Sequence, residues 1–566
     1  MSIVKNFILG LALVFGLSQM ASAAVYTVTK IADTNDGTCD SDCSLREAVA
    51  AANATADNDT IIFSGLFNSP QTITLGGSEI IIANNGSLTI FGTGADKVTI
   101  SGNNASRIFA TSVGVTAIIS NARFTGGNGA GAANTGRAGA IYNNGGNLTL
   151  NNLVLTGNTA NTGGATNNAG TATLTVNNCY IFNNTSASSG GAMQNFGGNT
   201  LIINNSTLSG NTSGGATGGG AIQANGTLNI SNSTFSGNNA PGGSGGAITF
   251  NGTAINFNNV TMVGNTETNN GGGFHRTGAN PVTFRNTIIS GNTGVAGSPD
   301  ITGAITSNGN NIIGNVGTST GWVMSDLQNT NPVLSPLGFY GGIGQTYALL
   351  TTSPALNAGQ SCVTDLSCAA NNPPVAITAD QRGATRTNVD IGAFEDSANY
   401  RAVLPSATNN SAYNQTITAD VGSFTYSQMG GTLPSGVTVN TGGVIANVSG
   451  TPTQAGVFDF GVNIAGTNSA LVNYRLYVSP AKTSISGRVI TSGGAPLGRT
   501  YVTLTSNTGT VIRTSTNAFG YYRFDDVNIG EVYQISVVSK IYTFTNNSQF
   551  LLVNDAVNNA DFTVAP

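Results

Sequence analysis

The chain has 566 residues, enough for three or four domains, and only 8% of them are charged against roughly a quarter in an ordinary soluble domain. Nineteen basic and 24 acidic residues give a net charge of −5 and no basic patch, which argues against nucleic acid as a partner. With 77 glycines, and a 39% hydrophobic share rich in Val, Ile, Leu and Phe, the composition excludes simple disorder and favours an all-β protein.

At the N-terminus Lys5 precedes an apolar run, Phe7 to Leu17, that is too short to span a bilayer. Ala21-Ser22-Ala23 then fits a small-residue cleavage site, so a signal peptide is expected over 1–23, with export to the outside of the cell or to its surface. No later stretch holds eighteen consecutive apolar residues, so no transmembrane segment is expected after cleavage. Four of the five cysteines form close pairs, Cys39 with Cys43 and Cys362 with Cys368. In an oxidising compartment these read as two small-loop disulfides; metal ligation is the competing reading, but the single histidine, His275, is distant from both. No metal and no cofactor is expected.

Residues 24–79 read as an N-terminal cap. Ser44 and Glu47 make a capping box ahead of an alanine-rich run to Asn53, a short helix suited to covering the end of a solenoid. Coils are expected over 80–315, where Gly157-Asn158, Asn183-Asn184, Gly210-Asn211, Gly237-Asn238, Gly264-Asn265 and Gly291-Asn292 recur at steps of 26 or 27 residues. Upstream of these markers stand alternating apolar pairs from Leu148/Leu150 to Val282/Phe284, each a strand with one face buried. A second apolar column follows at Leu155, Ile181, Leu208, Phe235, Met262 and Ile289. Between the two columns Asn152, Asn178, Asn205, Asn232, Asn259 and Asn286 form a structural ladder, since asparagine accepts φ > 0 and can pair its amide with the next coil. Gly-Gly-Ala or a close variant precedes a third strand. Three short strands per coil at constant period predict a parallel β-helix; helical solenoids fail on glycine content and a propeller blade needs more than 27 residues.

Catalysis by such a fold needs paired carboxylates, or a calcium site with a base. From Ala138 through Thr266 there is no Asp, Glu, Lys, Arg or His, so no acid–base pair can be assembled there and no catalytic residue is assigned. His275 is aligned with Ile141, Thr166, Met193, Ile222 and Ile248, as a histidine closing the core. The residues that follow this column, Tyr142, Asn167, Gln194, Gln223, Thr249 and Arg276, are expected to face outward as a flat polar stripe suited to hydroxyl-rich ligands, while Thr207, Thr234 and Thr261 line another face. A weak site between Glu267 and Asp300 stays open, and Asp380, Arg382, Arg386, Asp390 and Glu395 suit an ion-pair network in a C-terminal cap over 316–396.

The Cys43-Ser44-Leu45-Arg46-Glu47-Ala48 stretch resembles the signature of the CSLREA group of secreted bacterial β-helix proteins. Tyr340-Gly341-Gly342, Ser353-Pro354-Ala355-Leu356-Asn357-Ala358-Gly359, Asp380-Gln381-Arg382-Gly383 and Asp390-Ile391-Gly392-Ala393-Phe394-Glu395 resemble the "choice-of-anchor Q" domain, a family whose name implies a surface anchor. The resemblance, over about 25–396, implies a right-handed parallel β-helix of the pectin-lyase-like type. Leu433-Pro434-Ser435-Gly436 and Gly450-Thr451-Pro452-Thr453 resemble an Ig-like β-sandwich over 400–480, in which calcium is not expected because Asp420 and Asp459 are its only carboxylates. Ser484 to Val489 and Asn517 to Phe524 resemble a carboxypeptidase regulatory-like, transthyretin-type sandwich over 482–566, an accessory module without a protease site. There Phe519, Tyr521, Tyr522 and Phe524 read as core and edge residues. The function expected is non-catalytic adhesion, carbohydrate binding or structural display, with a polysaccharide, cell-surface glycan, or host or envelope protein as partner. The alternative is a pectin-lyase-like polysaccharide lyase or glycoside hydrolase.

Overall fold

The computed structural model describes residues 23–565 apart from 84–85, 132–133, 217, 295–299, 370–371, 419–422, 443–444, 507–508, 530 and 554–555. The signal peptide expected over 1–23 lies, but for its last residue, outside the described residues, as does Asp420. Two compact units are present: 23–332 with 354–395, and 333–353 with 396–566.

The first unit is an all-parallel β-solenoid. Among the described residues its three principal sheets hold eleven, eleven and nine strands. Like stacks on like: Leu148, Leu174, Leu201, Leu228, Ile255 and Val282 pair in register in the first sheet, and Leu155, Ile181, Leu208, Phe235, Met262 and Ile289 in the second. Phe257 and Phe284 stack at 4.5 Å and Phe274 meets both edge-on, so aromatic geometry fills the last coils. Stacking begins earlier than residue 80, with Val25–Val28 on Asp59–Phe63, because the helix and disulfide loop lengthen the first coil and hide the period. It ends at Leu327–Gln328, beyond residue 315. Five short strands, Thr159–Thr162 to Thr266–Glu267, add a fourth sheet to the three expected.

The helix Leu45–Asn53 carries the full capping box, Ser44 accepting from the Glu47 N–H and Glu47 from the Ser44 N–H, and buries Leu45, Ala48, Val49 and Ala52 in the solenoid core. Cys39 is bonded to Cys43 and Cys362 to Cys368. Asn152, Asn178, Asn205, Asn232, Asn259 and Asn286 all have φ between 47° and 53°, so their common duty is the left-handed turn between the first and second sheets. The unbroken amide ladder is a different column. Asn158, Asn184, Asn211, Asn238, Asn265 and Asn292 each donate Nδ2 to the Oδ1 of the next at 2.8–3.0 Å, and Asn292 donates to Asp300. Asp300, an acceptor only, ends a chain in which every amide points the same way.

In the second unit Val333–Ser353 joins the Ig-like strands: the Phe339 N–H donates to Ile417 O, and the Tyr474 hydroxyl donates to Phe339 O. The cap expected over 316–396 is therefore divided, with only 316–332 and 354–395 belonging to the solenoid unit. Two antiparallel sheets of the last module enclose Ile485, Val489, Val502, Leu504, Tyr522 and Phe524, whereas alternation leaves Phe519 and Tyr521 exposed.

Candidate functional site

The third sheet carries the predicted stripe. Tyr142, Asn167, Gln194, Gln223 and Thr249 pair one above the next. The register then sets His275 on Thr249 and Arg276 on Phe250, while Phe274 takes the core column. Arg276 therefore leaves the stripe and His275 enters it, correcting both assignments. The step from Ile248 to Phe274 is one residue shorter than the 27-residue period, and the apolar ring outcompetes imidazole for the dry interior.

The stripe is not a flat surface open to water. The turn leading into each strand folds over it: Asn167 donates to Thr162 O, Ser189 Oγ donates to Gln194 Oε1 at 2.7 Å, and Thr249 Oγ1 donates to Ser244 O. Each partner lies five residues upstream, so every coil ties down its own turn. Tyr142, 1% exposed, packs under Arg107, whose guanidinium sits 5.0 Å from its ring centroid, and accepts at its hydroxyl from Asn134. Tyr142 and Asn167 are thereby absorbed into structure.

Further along, the turns part and leave a groove of about 400 Å³ that Gln194, Gln223, Thr249 and His275 line together. A second column, Phe196, Asn225, Asn251 and Thr277, completes it. Sequence reasoning missed these four, although each stands two residues after a stripe residue and so shares its side of the sheet. Gln223 Nε2 donates to Asn225 Oδ1 at 3.1 Å, whereas Gln223 Oε1 is buried and has no hydrogen-bond partner. His275 Nδ1 is 2.6 Å from Thr302 Oγ1, and burial lowers the imidazole below its ordinary range, so it is neutral at pH 7.

No carboxylate lines this groove. Asp300 is fixed at the ladder's end by Asn292 and the Asn315 N–H, and burial raises its carboxyl, while Glu267 accepts from the Asn269 N–H. Cys179 is fully buried, its thiol pushed up to about 12 by desolvation.

The other polar face is covered. Residues 354–395 run over the second sheet, where Gln381 accepts from Thr234 and donates to Thr207, both at 2.6 Å, and the Ala393 N–H donates to Thr261. Beneath this strap Arg386 pairs with Glu395 at 2.9 Å and Arg382 with Asp380 at 2.7 Å.

Residues 396–479 match the family described as "Putative Ig domain", and residues 484–565 match the "Carboxypeptidase regulatory-like domain". No curated protein matches the chain. Among solved structures, BcpA, the major pilin subunit of Bacillus cereus, is 11% identical over 28% of this chain and 67% of its own, with a TM-score of 0.16. The Bacillus anthracis TIE protein is 10% identical over 25% of this chain and 34% of its own, with a TM-score of 0.18. An endo-fucoidan hydrolase of glycoside hydrolase family 107 is 15% identical over 29% of this chain and 27% of its own, with a TM-score of 0.13. Likenesses at such scores carry no argument. The chain thus joins a β-solenoid to an Ig-like and a regulatory-like domain, an arrangement that fits a surface-display protein. No described helix is long and apolar enough to cross a membrane. In the Ig-like domain Asp459 is held by Arg475 at 2.7 Å and Arg401 at 3.3 Å, both cations.

Proposed function

We propose that this chain is an exported, surface-displayed protein of the CSLREA and choice-of-anchor Q kind, whose solenoid binds glycan without cleaving it. The C-terminal sandwiches then serve as spacers or accessory modules. The observation that carries this reading is the groove over strands Met193–Asn195, Ile222–Ala224, Ile248–Phe250 and Phe274–Arg276, lined by amides, hydroxyls, a neutral imidazole and one phenyl ring, with no carboxylate among its lining residues. Many weak hydrogen bonds with an apolar contact suit a hydroxyl-rich ligand. An acid–base pair for glycosidic cleavage has no carboxylate to draw on in such a groove. Native electrophoresis through gels cast with single polysaccharides, then stained for the polysaccharide, tests it. Retardation without clearing is expected; clearing around the band would make the protein a polysaccharide-degrading enzyme.

A further inference from the structure

We infer that the groove takes a neutral glycan segment and that Gln223 sets this preference by accepting a hydroxyl hydrogen from it, an inference that rests on the glycan-binding reading. Gln223 is 6% exposed, lines the groove, and keeps its Oε1 buried without a hydrogen-bond partner. Buried acceptors are ordinarily satisfied, so an unsatisfied one beside a groove specifies what must arrive there: a donor. Gln194 and Asn225 present the opposite sense. The Gln194 oxygen is taken by Ser189 and the Asn225 oxygen by Gln223, which leaves the Nε2 of the first and the Nδ2 of the second to donate.

Donor and acceptor thus alternate on adjacent rungs about 4.8 Å apart. A sugar hydroxyl, donor and acceptor at once, answers both. A uronate or a sulfate ester accepts only and would set its charge against Gln223 Oε1. An ammonium sugar would supply a donor, but no lining carboxylate offsets the desolvation of its charge, and His275 is neutral. Phe196, whose ring already stacks against the Arg137 guanidinium at 4.5 Å, supplies apolar surface for a pyranose ring at one end of the groove.

The test compares the full chain with its Gln223→Met variant in native gels containing laminarin or galactomannan (neutral), polygalacturonate or alginate (acidic), or chitosan (cationic), with thermal unfolding of both proteins. Retardation in a neutral gel is expected, weakened at least tenfold by Gln223→Met, with a Tm equal to or above that of the parent because an unsatisfied buried oxygen is removed. Equal or stronger retardation in the acidic or cationic gels overturns the neutral preference and leaves glycan binding standing. Neutral-gel retardation that survives in folded Gln223→Met overturns the role of Gln223. A variant whose Tm falls would mark Gln223 as structural and overturn that role too. Retardation in none of the gels overturns glycan binding itself.

Discussion

Two faces of one solenoid carry polar columns, and the chain treats them differently. On the second sheet Thr207, Thr234 and Thr261 are covered by residues 354–395, and Gln381 spans two rungs with one amide, accepting from one threonine and donating to the next. On the third sheet Gln194, Gln223, Thr249 and His275 have only their own turns beside them, and Gln223 Oε1 is left without a donor. The strap shows by example what a polar column of this solenoid accepts: an extended polar chain whose donors and acceptors alternate with the rungs. The groove has the same need and no segment of its own unit filling it.

The difference is broken most forcefully from the strap side. Arg386 is buried, pairs with Glu395, and donates to Asn232 Oδ1 and Gly392 O. Arg386→Met leaves the buried Glu395 carboxylate without its cation, an expected loss of about 3–5 kcal/mol. It reads as a lower Tm and as protease cleavage within 354–395, with glycan retardation unchanged if the two faces are independent.

A spine common to both faces comes next. Asn238 accepts from the backbone N–H and Nδ2 of Asn211 and donates to Leu208 O and Asn265 Oδ1. Asn238→Ala strands these buried groups at about 1–3 kcal/mol each, less what the coils recover by closing up. Asn178→Gly, at φ 52° in the turn column, removes an amide that serves chiefly to permit that turn and should shift stability by less than about 1 kcal/mol, since glycine adopts the turn freely. Equal losses at Asn238 and Asn178 in chemical denaturation would erase the distinction between the two columns.

The paired glutamines sharpen the comparison directly. Gln381→Met takes a satisfied amide from under the strap and should cost about 1–3 kcal/mol. Gln223→Met takes an unsatisfied oxygen from the groove and should cost nothing in stability. Urea midpoints of the two variants, measured side by side, decide it: equal losses would make the groove as structural as the strapped face.

Much of this was legible in residues that repeat. The Leu148 and Leu155 columns declare their strands because alternation and a 27-residue step coincide, and the glutamines of the groove follow from the same arithmetic. His275 did not, since one coil is a residue short and only the preference of the core for Phe274 over imidazole fixes the register. The turns that bury Tyr142 and Asn167 were hidden because their lengths vary from coil to coil. The strap was hidden for a different reason: Gln381 reaches Thr207 across 174 residues of sequence, and no local pattern carries such a pairing.

The smallest effect is the control that touches neither face. Asp459, in the Ig-like domain, is held below its usual carboxylate range first by its hydrogen bonds to Arg475 and then by the charges of Arg475 and Arg401. A carboxyl whose folded value is depressed contributes stability that is present above its unfolded value, about 3.9, and is lost as pH falls through the folded one. The side chain is 39% exposed, so solvent screening limits the pair to about 0–1 kcal/mol. Asp459→Asn should therefore lower the Tm of the second unit slightly at pH 7 and leave it equal to the parent near pH 2. Glycan retardation and protease resistance of 354–395 should not change at either pH. A pH-independent loss in this variant would mean that Asp459 acts through packing rather than charge.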